Sequence, residues 1–136
     1  MPGFPETILI VDDDEDLLTL QEEALKRVGD IAIHKSNSYD LAKEYLTTTK
    51  PDIVLLDLRM PGKDGTVVLA DMRKLEGCEN IPVIFVTGET QVLMQDSYYK
   101  LGVLGVIHKP FKPSAYITTI QQLWQKQRFQ GEKTTK

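Results

Sequence analysis

The chain has 136 residues, enough for one domain with a substantial core and too few for two. Its 16 basic and 20 acidic residues leave a net charge of -4 with no basic block, which argues against nucleic acid as a direct ligand. No apolar run reaches membrane-spanning length and the opening MPGFPET lacks a signal-peptide pattern, while a lone cysteine, Cys78, excludes an internal disulfide and fits a reducing, cytoplasmic setting.

The first apolar run, Ile8 to Val11, leads directly into the acids Asp12, Asp13, Asp14, Glu15 and Asp16. The last three suit the first turn of a helix, where carboxylates cap free N–H groups and meet the positive end of the macrodipole. Asp12 and Asp13 precede the helical pattern, and carboxylates crowded in this way repel one another unless a cation collects them. Leu17, Leu20, Ala24 and Val28 then step by three and four, with Glu22–Lys26 and Glu23–Arg27 as i,i+4 pairs on the outer face, which predicts an amphipathic helix. A second strand is expected at Ile31 to Ile33 and a second helix around Ala42, Tyr45 and Leu46. Ile53 to Leu56 follows as a third strand, with Leu69 and Met72 marking a third helix. Val83 to Val86 gives a fourth strand and Val92 to Leu101 a fourth helix. Val103 to Ile107 and the spacing of Ile117, Ile120 and Trp124 supply the last strand and helix. Gly29, Pro51, Pro61-Gly62, Pro82 and Gly102 fall where elements should stop.

Most of these apolar runs are continuous rather than alternating, as parallel strands covered on both faces require. Five β-α units of this size predict one α/β domain: a doubly wound (βα)5, flavodoxin-like fold with a parallel five-stranded sheet in the order 2-1-3-4-5. Ligands in such sheets sit beyond the carboxyl ends of the strands, at the switch point between strands 1 and 3. Strand 1 ends in Asp12 and Asp13, strand 3 in Asp57, strand 4 in Thr87 and strand 5 in Lys109, whereas edge strand 2 ends in Lys35, Ser36 and Asn37 and offers no matching group. Three carboxylates converging there call for a hard cation, and their oxygens suit Mg²⁺. A carboxylate can attack phosphorus to form an acyl phosphate, a reaction that asks mainly for in-line positioning and charge neutralisation. Asp57 is the best-placed nucleophile: it is central, ends a buried strand and leads into the turn Arg59-Met60-Pro61-Gly62. Asp12 and Asp13 would hold the metal, Lys109 would bring a second positive charge, and the Thr87 hydroxyl would donate to a phosphoryl oxygen.

The pair Asp12-Asp13, the stretch Asp57-Leu58-Arg59-Met60-Pro61-Gly62-Lys63-Asp64-Gly65, the pair Thr87-Gly88 and the triplet Lys109-Pro110-Phe111 together resemble the signature of response-regulator receiver domains. The resemblance covers residues 6–128 and leaves 129–136 as a polar C-terminal tail. It implies two-component signalling in which a histidine kinase or histidine phosphotransfer protein donates the phosphoryl group and the receiver catalyses transfer onto its own Asp57. It further implies Asp13 as a direct Mg²⁺ ligand, Asp12 as a ligand acting largely through water, and the backbone carbonyl of Arg59 as the remaining protein ligand. Thr87 would be the switch hydroxyl, Lys109 the phosphate-binding lysine, and Lys109–Pro110 a cis peptide. Output would pass through the face of the fourth helix, fifth strand and fifth helix to a protein target or a C-terminal output domain. One departure stands out, since Val106 occupies a position where the family usually carries Tyr or Phe.

An apolar strand ending in Asp12-Asp13-Asp14 also resembles the start of haloacid-dehalogenase-type phosphatases. Those enzymes need further acidic metal ligands after their lysine, and the only carboxylate side chain beyond Lys109 is Glu132. His34 and His108 have no cysteine or second histidine at ligand spacing and are read as structural, with His108 facing away from the site. Tyr98 and Tyr99 are candidates for core-edge packing or for partner recognition. Trp124 is expected in the core, and Cys78 is given no role.

Overall fold

The apolar runs form five strands in the computed structural model, which describes residues 3–60, 62–88 and 99–134. These are β1 (Thr7–Val11), β2 (Ala32–Ser36), β3 (Ile53–Leu56), β4 (Val83–Thr87) and β5 (Val103–His108), all parallel and ordered β2-β1-β3-β4-β5. The helices are α1 (Glu15–Lys26), α2 (Tyr39–Thr48), α3 (Gly65–Arg73) and α4 (Pro113–Thr134). The last of these takes the place of the expected fifth helix. Most of the helix expected over 92–101, with Glu89, Thr90 and Tyr98, lies outside the described residues, as does Pro61 of the expected turn.

Continuous apolar strands follow from two separate cores. Leu9, Val11, Val54, Leu56, Val83 and Phe85 pack towards Tyr39, Leu46, Leu69 and Met72 of α2 and α3. The alternate residues Ile8, Ile10, Ile53, Leu55, Ile84 and Val86 pack towards Leu18 and Leu25 of α1, and Tyr116, Ile120 and Trp124 of α4. The inner strands β1, β3 and β4 therefore bury both of their faces, as the doubly wound fold demands.

The sheet register sets up the site. Val11 pairs with Leu56, Leu56 with Phe85, and Phe85 with Val106, so the strands reach their carboxyl ends together. Ladder bonds continue one step further: Asp57 N–H donates to Val11 O at 3.0 Å, Asp12 N–H to Ser36 O at 3.1 Å, and Lys109 N–H to Thr87 O at 2.8 Å. Asp12, Asp57 and Lys109 are thus each held by a neighbouring strand's backbone where they leave the sheet.

Three local expectations are revised. The buried stripe of α1 is Leu18, Gln21, Ala24 and Leu25, whereas Leu17 is half-buried and Leu20 reaches the surface. A polar residue can take the inward position because the Tyr116 hydroxyl donates to Gln21 Oε1 at 2.9 Å. Strand β2 extends to Ser36, beyond the short apolar run, because an edge strand can expose His34 and Lys35. The stretch after Asp57 is more than a turn: Arg59–Met60 and Lys63–Asp64 form a two-residue antiparallel ladder around Gly62, whose φ of 71° only glycine adopts readily. His34 stacks on Tyr45 with ring centroids 3.9 Å apart, Trp124 is in the core, and Cys78 is free and buried, as structural roles require.

Candidate functional site

The acid run divides as its chemistry suggests. Asp14 caps α1, its carboxylate accepting from Asp16 N–H at 2.9 Å and Leu17 N–H at 3.2 Å. Asp12 and Asp13 stay outside the helix and face Asp57 across the gap between β1 and β3. One carboxylate oxygen from each of the three lies within 4.8 Å of the others. Asp12 and Asp57 are only 1% and 6% exposed, while Asp13 is open to solvent. The cluster is therefore a pocket with a dry floor and a wet rim.

The Lys109 ammonium, just past the end of β5, offsets part of this charge. Lys109 Nζ donates to Asp12 Oδ2 at 2.7 Å and to Asp57 Oδ2 at 3.3 Å, while Asp12 Oδ1 accepts from Asp14 N–H at 3.0 Å. Burial works to lower the Lys109 pKa, but the hydrogen bond and charge of Asp12, followed by those of Asp57, outweigh it and hold the ammonium above its ordinary value. The lysine is thus kept cationic, and the peptide that follows it, Lys109–Pro110, is cis. Thr87 ends β4 in the same layer with its side chain buried. Arg59 lies two residues past Asp57 on the short ladder. Hard oxygen donors on a partly open rim fit Mg²⁺, which keeps several waters and takes few protein carboxylates.

The remaining candidates sit elsewhere. His108 is exposed at the end of β5, and strand alternation turns it to the face opposite that of its neighbour Lys109. Tyr99 is 56% exposed and borders a cavity of about 320 Å³ with Gly102, Val103, Leu104, Leu123 and Lys126. Val106 is half-buried against the α2/α3 core. Sequence reasoning missed Gln21 and Tyr116, the polar pair buried between α1 and α4. A usable signal existed for the tyrosine, which stands four residues before Ile120 on the inner face of α4.

A family model described as the response regulator receiver domain matches residues 8–121. Sporulation initiation phosphotransferase F of Bacillus subtilis is 36% identical over 106 residues, which span 78% of this chain and 83% of that protein. The probable transcriptional regulator ycf29 of Porphyra purpurea is 31% identical over 119 residues, covering 85% of this chain but 55% of its own length. Two further relatives are much longer, the match spanning only 23% and 21% of them. Among solved structures, chemotaxis response regulator CheY4 of Vibrio cholerae aligns with a TM-score of 0.76 at 20% identity, over 86% of this chain and 97% of that one, a likeness of fold. The chain belongs to the response regulator receiver domains, the signalling modules of two-component systems.

Proposed function

We propose that this chain is a phosphoacceptor in a two-component phosphorelay and that Asp57 carries the phosphoryl group. The observation that supports this most directly is the Lys109 ammonium lying within hydrogen-bond reach of both Asp12 and Asp57, at the mouth of a three-carboxylate pocket. An Asp57 oxygen attacks phosphorus of a phosphohistidine, the P–N bond breaks, and the imidazole of the donor leaves with the electron pair. Lys109 then trades its contact with Asp57 for one with a phosphoryl oxygen, and the Thr87 hydroxyl donates to another. Asp12, Asp13, Asp57 and the backbone carbonyl of Arg59 would hold Mg²⁺, which would supply neutralising charge for the transferring group. Loss of the group is the chain's second reaction: water attacks phosphorus, the acyl phosphate P–O bond breaks, and inorganic phosphate departs.

The donor is a histidine kinase or histidine phosphotransfer protein of the cytoplasm, and output passes by protein contacts to a target or an attached output domain. The name of the Bacillus subtilis relative, a phosphotransferase, supports a place within a relay. Labelling with acetyl phosphate tests the reading. Acid-labile phosphate should form only with Mg²⁺ present and should vanish in Asp57→Asn. Equal labelling of that variant would refute the assignment.

A further inference from the structure

Behind the acid pocket, one hydrogen bond ties together the two segments that build it. Gln21 sits on α1, the helix that begins just after Asp12 and Asp13, and Tyr116 sits on α4, just after Lys109. Both are 0% exposed, in a core whose other members are apolar. The Tyr116 hydroxyl donates to Gln21 Oε1 at 2.9 Å. The Tyr116 ring in turn stacks on Phe111, with centroids 4.7 Å apart and planes 16° from parallel. Phe111 is only two residues from Lys109, and Tyr116 N–H caps the same loop by donating to Lys112 O at 2.9 Å.

We propose that Tyr116 and Gln21 are positioning residues: they act through Phe111 to hold the Lys109 ammonium at the distance from Asp12 and Asp57 that phosphoryl transfer requires. The inference rests on the phosphoacceptor reading above. A hydrogen-bonded polar pair in an apolar core adds little net stability over a well-packed apolar pair, so its value lies in fixing geometry. Positional errors of about 1 Å at a transfer site can cost up to about 10²-fold in rate. The brace spans the two loops whose separation sets the Lys109–Asp12 distance, so loosening it reaches the pocket even though neither residue touches a phosphoryl group.

A structural role and a positioning role separate in the double variant Gln21→Leu/Tyr116→Phe. Gln21 Nε2 donates to no described residue, so replacing both partners removes every polar atom that would be left unsatisfied and should restore the melting temperature lost in either single variant. The proposal predicts that the acetyl phosphate labelling rate nevertheless stays about 3- to 10-fold below the parent, as expected of a partial misplacement. Placed in a Lys109→Ala background, the same pair of changes should cause no further loss, because the brace acts only through that lysine. Phe111→Leu, which opens the stack from its other end, should repeat the pattern and serves if the double variant folds poorly. Recovery of rate together with stability would overturn the proposal, as would an equal loss in the Lys109→Ala background. Failure of the parent chain to label at all would instead overturn the phosphoacceptor reading, and the brace with it.

Discussion

Replacing Asp13 by asparagine should stabilise the metal-free protein. One carboxylate oxygen from each of the three acids lies within 4.8 Å of the others, and the Lys109 ammonium is hydrogen-bonded to Asp12 and Asp57. At 4.8 Å, two like charges repel by about 3.5 kcal/mol for an effective dielectric of about 20, and by about 0.9 kcal/mol in water. Asp13 is exposed, so its repulsion falls towards the lower figure, and Lys109 cancels the equivalent of one of its two acidic neighbours. A net relief of about 1 to 2 kcal/mol remains, equivalent to a rise of roughly 3 to 8 °C in Tm for a chain of this size. Thermal unfolding followed by circular dichroism in EDTA should show that rise. In Mg²⁺ the sign should reverse, because the parent gains stability by mass action and the variant has lost a ligand. A lower Tm for Asp13→Asn in EDTA would refute the view that the acids repel one another in the absence of metal.

Other expectations concern the frame of the site. Gly65 N–H donates to Leu58 O at 2.6 Å, and a Cβ there would lie 2.6 Å from that oxygen. Gly65→Ala should therefore cost about 1 to 3 kcal/mol by denaturant titration and slow labelling at the neighbouring Asp57, whereas unchanged stability would mean the close approach relaxes freely. Burial, with the charges of Asp71 and Asp40, pushes the Tyr39 phenol up to about 12, and burial beside Asp12 pushes that of Tyr116 well above its usual value. Neutral phenols favoured in the folded state contribute stability fully present below the unfolded pKa of about 10 and lost as pH rises towards the folded values. Tyr39→Phe/Tyr116→Phe should accordingly flatten the alkaline fall in Tm; an unchanged slope would show that other groups cause it. Val106, stiff at χ1 and paired with Phe85, has no ring to swing in response to the proposed movement of the Thr87 hydroxyl towards a phosphoryl group. Amide NMR of the Mg²⁺ form with and without beryllofluoride should show larger shifts over 87–94 than over 103–106, and comparable shifts in both stretches would contradict this.

The strand ends were legible because a parallel sheet aligns them: once five apolar runs are ordered, Asp12, Asp57, Thr87 and Lys109 follow from counting. The helix faces were less so. Leu17 and Leu20 carry the right period for α1, but the inward stripe runs through Leu18, Gln21 and Leu25. Gln21 reads as a surface residue until its partner is known, and that partner, Tyr116, is 95 residues away. Hydropathy periodicity registers whether a side chain is apolar, and a buried polar pair joined by one hydrogen bond leaves no periodic trace. The extra residues of β2 were hidden for a related reason, since His34 and Lys35 lie on an edge that water can reach.

The central claim is that Asp57 is the residue phosphorylated. Acetyl phosphate treatment with Mg²⁺, reduction of the acyl phosphate by borohydride and peptide mass spectrometry locate the modified carboxylate directly. The account predicts conversion of Asp57 to homoserine and of no other acid in the pocket; conversion at Asp12 or Asp13, or a phosphate that resists reduction on a hydroxyl side chain, would contradict it.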